Sequence, residues 1–239
     1  MHLICTILVI GTIDSGSFCI QEDTTLLSLC EQWNNLYLHL LYGTSNRMET
    51  SNQIKQLTGT IKSRMPVSTD SIVYFPLEGY GIQDIGANGS GFQPRGYYFN
   101  EGNDHRGHPA HDIFIRDADF DCLDDNTFKP VYVLAMTGGI VLSVKDDWRC
   151  GDTLRGGNYI LIYNELKNRY YYYAHNRDVL VKVGDIIGAG TRIATVGRTG
   201  VNAFKRRSPT HLHLMVLQIT GGKPEPYNFY KDLKKAVFK

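Results

Sequence analysis

Apolar residues at 26, 29, 30, 33, 37, 40 and 41 recur at helical spacing in "TTLLSLCEQWNNLYLHLLYG", and Gly43 stands where a helix would end. A weaker stripe of Ile54, Leu57, Ile61 and Met65 predicts a second helix, stopped by Pro66. Together they predict a helical hairpin within an N-terminal segment spanning residues 18–70. From Ser71 the texture changes. Short apolar runs ("SIVYFPL", "HDIFI", "VYVLAM", "GIVLSV", "NYILIY", "YYYYAH", "RIATVG" and "HLHLMVLQI") follow one another, separated mostly by turn residues, with no long helical pattern between them. They predict an all-β domain over residues 71–222, made of antiparallel sheet. The closing "YNFYKDLKKAVFK" is basic and amphipathic, and predicts a tail helix within 223–239 packed by Phe229, Leu233 and Val237.

The N-terminus follows a different pattern. Leu3 to Ile13 is an apolar run too short to span a bilayer but long enough for the core of a signal peptide. Ser15 and Ser17 are small residues suited to a cleavage site, so residues 1–17 read as a leader and the chain as exported: periplasmic, at the cell envelope or extracellular. Only the α-amine and His2 supply positive charge ahead of that run. Cys19 raises a second possibility, a lipid-modified mature end held at a membrane, against which stands the bulky Phe18 before it.

Composition narrows the classes. A chain of 239 residues with 42% hydrophobic and 21% charged residues is globular, and 24 glycines and 15 tyrosines suit strands and turns. A net charge of +1 gives no general attraction to nucleic acid. Of five cysteines, Cys122 and Cys150 form the natural pair within the main domain, with free thiols as the alternative. No C-x-x-C is present, which excludes a zinc ribbon or a thioredoxin-type motif.

Six of the eight histidines lie between 105 and 213. In "THLHL", strand period two puts His211 and His213 on one face and Leu212 and Leu214 on the other. Two imidazoles so placed suit one metal site, one as ligand and the other beside it; the spacing does not say which. In "GHPAHDIFI", His108 and Asp112 share a parity, whereas His111 lies with Ile113 and Ile115. His108, Asp112 and one ring of H-x-H make three nitrogen or oxygen ligands with a fourth position open, the pattern of a catalytic zinc. His175 closes "YYYYAH", on the parity of Tyr171 and Tyr173. There is no H-E-x-x-H, so the glutamate base of that motif is missing.

These blocks, in the order "HPAHD", "YAH", "VKVGDIIGAGTRIATVGRTG" and "THLHL", resemble the lysostaphin- and LytM-type zinc endopeptidases of bacterial cell walls over roughly residues 71–222. The resemblance implies a curved antiparallel sheet with glycine-rich hairpins and one zinc ion per chain. It implies His108, Asp112 and His213 as zinc ligands, and His175 and His211 as the catalytic pair. It further implies peptidoglycan stem peptides or cross-bridges as substrate. The glycine-rich block also resembles a biotinyl- or lipoyl-carrier hairpin, but "GAGT" offers no lysine to modify. Some relatives are activators of other wall hydrolases that have lost ligands; here every ligand position is filled. Departures are Ala110 where glycine is common, the unusual His111, and Leu214 and Met215 in place of an aromatic and an acidic residue.

Overall fold

Helix α1 (Leu26–Tyr42) starts at Thr25, whose side chain accepts from the Ser28 amide, and stops at Gly43, which takes the left-handed conformation at φ 65°. Helix α2 (Arg47–Arg64) starts at Asn46, which accepts from the amides of Met48 and Glu49. The computed structural model describes residues 25–66 and 71–239; the expected leader, its cleavage site and Cys19 lie outside them. The hairpin's apolar stripes meet as the spacing predicts, with one exception. On α2 the buried position is Thr58, with Leu57 only half-buried. Thr58 is tied in by polar bonds: Trp33 Nε1 donates to its Oγ1 at 2.9 Å, and that oxygen lies 2.5 Å from the Tyr170 hydroxyl. Among the described residues, no helix is long and apolar enough to cross a membrane.

Among the described residues nine strands form one antiparallel sheet: β1 (Ala110–Phe114), β2 (Tyr132–Leu134), β3 (Gly139–Lys145), β4 (Asn158–Asn164), β5 (Arg169–Val179), β6 (Ile186–Ile187), β7 (Arg192–Val196), β8 (His211–Thr220) and β9 (Lys223–Pro226). The spine runs β1-β8-β5-β4-β3-β6, with β9 extending β8 and β2 joined through β7 to the far end of β5. Both faces of the central strands are covered, which is why "YYYYA" reads as a continuous apolar run. Tyr171 and Tyr173 enter one core with Ile160, Ile162 and Leu214. Tyr170, Tyr172 and Ala174 enter the other, which α1 and α2 cover with Trp33, Tyr37, Leu40 and Ile54.

Three expectations need correction. "SIVYFPL" forms no ladder; Tyr74 and Leu77 make isolated bridges to Val237 and Val133, and Pro76 has no N–H to extend a ladder. The tail is one helical turn, α3 (Tyr230–Leu233), preceded by β9 and followed by the bridge at Val237, because the last residues bond back to the 71–79 segment. Cys122 and Cys150 are free thiols.

Candidate metal centre

The pairing of β1 with β8 sets Asp112 directly opposite His213. On β8, Leu212, Leu214 and Val216 enter the core. His211, His213 and Met215 line a cleft on the other face. His108 lies just before β1, where its amide and carbonyl exchange hydrogen bonds with those of Gln93. The outcome is a cluster in which donor atoms of His108, Asp112 and His213 all lie within 4.8 Å of one another. The carboxylate sits between the two rings: His213 Nδ1 donates to Oδ1 at 2.9 Å, and His108 Nε2 is 3.2 Å from Oδ2. Burial alone would raise the pKa of Asp112, but the hydrogen bonds from His108 and His213 outweigh it and hold the carboxyl far below its usual range. A carboxylate held in its ionised form between two imidazoles, half-buried and convergent, is a donor set that fits a divalent ion of the zinc type.

His175 and His211 complete the cleft. Their rings are 5.0 Å apart, and His175 lies 5.5 Å from His213. Each donates from Nδ1 to a backbone carbonyl, His175 to Thr199 at 2.8 Å and His211 to Pro209 at 2.7 Å. An Nδ1 that donates leaves Nε2 unprotonated in the neutral ring, so both offer an acceptor. His108 is oriented by its far nitrogen too, Nδ1 donating to the Gly91 carbonyl at 3.0 Å, but its Nε2 also carries a proton here, donated to Asp112. Burial lowers the pKa of His211 despite the opposing charge of Asp112. Burial first, and then the charges of His211 and His213, take His175 well below the ordinary value of 6.5. Both rings are therefore kept neutral.

The carbonyls that hold these rings are themselves held. Arg198 donates to the carbonyls of Lys205 and Ser208 and to Thr210 Oγ1, clamping the loop that delivers Pro209. Thr210 in turn donates to the buried Asp117. At Gly157 (φ 65°) and Gly200 (φ 106°) two chain segments pass so closely that a Cβ on Gly157 would meet the Thr199 backbone at 2.3 Å. One on Gly200 would meet the Arg155 carbonyl at 2.4 Å and His175 Nδ1 at 3.0 Å. The glycine-rich block thus brings the Thr199 carbonyl onto His175.

All five residues singled out in the sequence meet in this one cleft. His111 is turned away, 1% exposed, its ring against Phe229 and its Nε2 3.1 Å from Asn228 Oδ1. The parity expected for His175 fails. It adopts φ 67° in mid-strand, and beyond it β5 leaves β8 to pair with β7. This break turns the ring to the cleft side with Tyr172, while Tyr173 is buried in the opposite core and accepts from the Met136 amide at 2.8 Å. Sequence reasoning missed the carbonyls of Gly91, Thr199 and Pro209, which have no side-chain signal. It also missed a wall formed by Tyr37, Tyr97, Phe99 and His105.

The model of Peptidase family M23 matches residues 123–226. A search of curated proteins finds no match. Among solved structures, lysostaphin from Staphylococcus simulans aligns at 23% identity over 54% of this chain and 44% of that chain, with a TM-score of 0.38. This chain therefore spans less than half the length of that protein. A zinc-containing peptidase from Vibrio cholerae aligns at 22% identity over 65% of this chain and 39% of that one, TM-score 0.41. A LytM structure from Ruminococcus gnavus aligns at 21% identity over 90% of this chain and 88% of that one, TM-score 0.45.

Proposed function

We propose that this chain, whose residues 123–226 are assigned to peptidase family M23, is a zinc-dependent endopeptidase that hydrolyses peptide cross-links of bacterial peptidoglycan. One observation carries the reading. His108 and Asp112 lie outside the matched stretch, yet their donor atoms converge with those of His213 inside it. Sequence similarity over 123–226 does not require that convergence; a chemical use for the cluster does.

His108, Asp112 and His213 are the residues that would hold zinc. When bound, zinc supplies Lewis acidity towards the scissile carbonyl and the attacking water. The remaining work belongs to the protein's own groups. His175 and His211 present unprotonated Nε2 atoms, so either can take the proton as water adds to the carbonyl carbon. The ring that took it is then an imidazolium. Its Nε2–H can be given to the departing amine as the C–N bond breaks, which returns the ring to neutral. The other ring, fixed by its carbonyl, keeps the cleft polar without adding charge. Cross-linked peptidoglycan lies outside the cytoplasm, in keeping with the leader expected at residues 1–17.

Purified protein supplied with zinc should release peptide fragments with one new amine and one new carboxylate from isolated peptidoglycan, read by mass spectrometry. The double variant His175→Ala/His211→Ala, which removes both candidate bases, should slow this by about 10²–10⁴-fold, the usual contribution of a general base. Undiminished hydrolysis in that variant, or no hydrolysis by the parent protein, would sink the reading.

A further inference from the structure

Among the described residues, two formally charged ones line the cleft, Asp112 and Arg155; the others lining it are histidines or uncharged. Asp112 is already engaged with His108 and His213. Arg155 has no carboxylate within salt-bridge distance among the described residues, and its position is built. Its amide donates to Asn103 Oδ1 at 2.9 Å, and its Nη1 donates to the carbonyls of His105 at 2.7 Å and Asn103 at 3.4 Å. Asn103 is tied back by its own donation to the Thr153 carbonyl at 3.0 Å. These bonds use Nη1 alone. The edge formed by Nε and Nη2, the pair of parallel donors that grips a carboxylate in two-pronged fashion, has no hydrogen-bond partner among the described residues.

We propose that Arg155 is a substrate subsite: it binds a free carboxylate of the peptide, close to the bond that is cut. The proposal rests on the endopeptidase reading and narrows its substrate to anionic peptides. A guanidinium held by backbone carbonyls is pre-organised, so little side-chain freedom is lost when an anion arrives. Arg155 is exposed, so a neutral peptide would leave those donors to solvent and gain nothing from them. The basic run Lys205 to Arg207 is the more conspicuous cationic feature of the sequence, but only Ser208 at its end lines the cleft.

The test compares two preparations of soluble peptidoglycan fragments, one with its carboxylates free and one with them amidated by carbodiimide and ammonia. Wild-type zinc-loaded protein should cut the free-carboxylate fragments with kcat/KM at least about tenfold higher, the size expected of a charge-assisted pair. Arg155→Ala should lose most of that preference. Arg155→Lys, which keeps the charge without the fork, should fall between, provided both variants melt as the parent does. Affinity of the metal-free protein for each preparation is measured alongside, by calorimetry. If neither preparation is cut, the catalytic reading fails, and tenfold tighter binding of the free-carboxylate fragments, abolished in Arg155→Ala, still supports the subsite. Equal handling of both preparations by the wild-type protein, or a preference that survives in Arg155→Ala, overturns it.

Discussion

At the scale of single residues, the cleft is a set of rings whose protonation is fixed by what their far nitrogens touch. His175 and His211 donate from Nδ1 to carbonyls and are buried, and burial lowers both pKa values. The sign follows directly. A base with a lowered pKa stays neutral to lower pH than a free imidazole, so kcat/KM should hold through 6.5, the ordinary value, and fall only in more acidic solution. Saturating zinc separates this limb from loss of metal, since ligands must be deprotonated to bind. An acid limb centred at or above 6.5 under those conditions contradicts the assignment. Residue types and parity in the sequence were enough to single out His108, Asp112, His211 and His213 and to set His111 apart. They could not reveal which atoms orient the rings, because carbonyl partners leave no trace in residue type.

At the scale of elements, β5 decides the geometry. Its first part pairs with β8, placing Ala174 opposite His213, and its last part pairs with β7. His175 stands at the change of partner with φ 67°, a conformation that costs a non-glycine residue on the order of 1–3 kcal/mol. Period-two reasoning assumes an unbroken strand, so it put His175 on the face of Tyr171 and Tyr173. The break reverses this, and His175 shares the cleft with Tyr172. The helices were far more legible, because the apolar spacing and the stop at Gly43 are local signals that act within a few turns. "SIVYFPL" misled because its apolar run suits a strand, but Pro76 withholds an amide and only Tyr74 and Leu77 find bridge partners, at Val237 and Val133. The crossing at Gly200 yields a prediction at this scale. Gly200→Ala adds a Cβ against the Arg155 carbonyl and the His175 ring and strains a backbone at φ 106°. Hydrolysis should drop at least tenfold, as expected when a catalytic group is misplaced, while zinc content, read by metal analysis, stays near the wild-type level. Unchanged hydrolysis would show that the Thr199 contact does not matter.

At the scale of the molecule, the sheet brings together groups from separated stretches of chain. His108 and Asp112 come from the approach to β1 and from β1, His175 from β5, and His211 and His213 from β8. The helical hairpin covers one face of the same sheet and lends Tyr37 and Leu41 to the cleft wall, so the N-terminal segment is part of the site's architecture. Folding is what assembles the candidate metal centre, and the proposed function requires that centre to bind zinc and to need it. The most direct measurement is zinc content per chain together with peptidoglycan hydrolysis, for the parent protein, Asp112→Asn and His213→Ala. The parent should hold one zinc per chain, and both variants should lose zinc and hydrolysis together. Full hydrolysis by a zinc-free variant would contradict the proposed function.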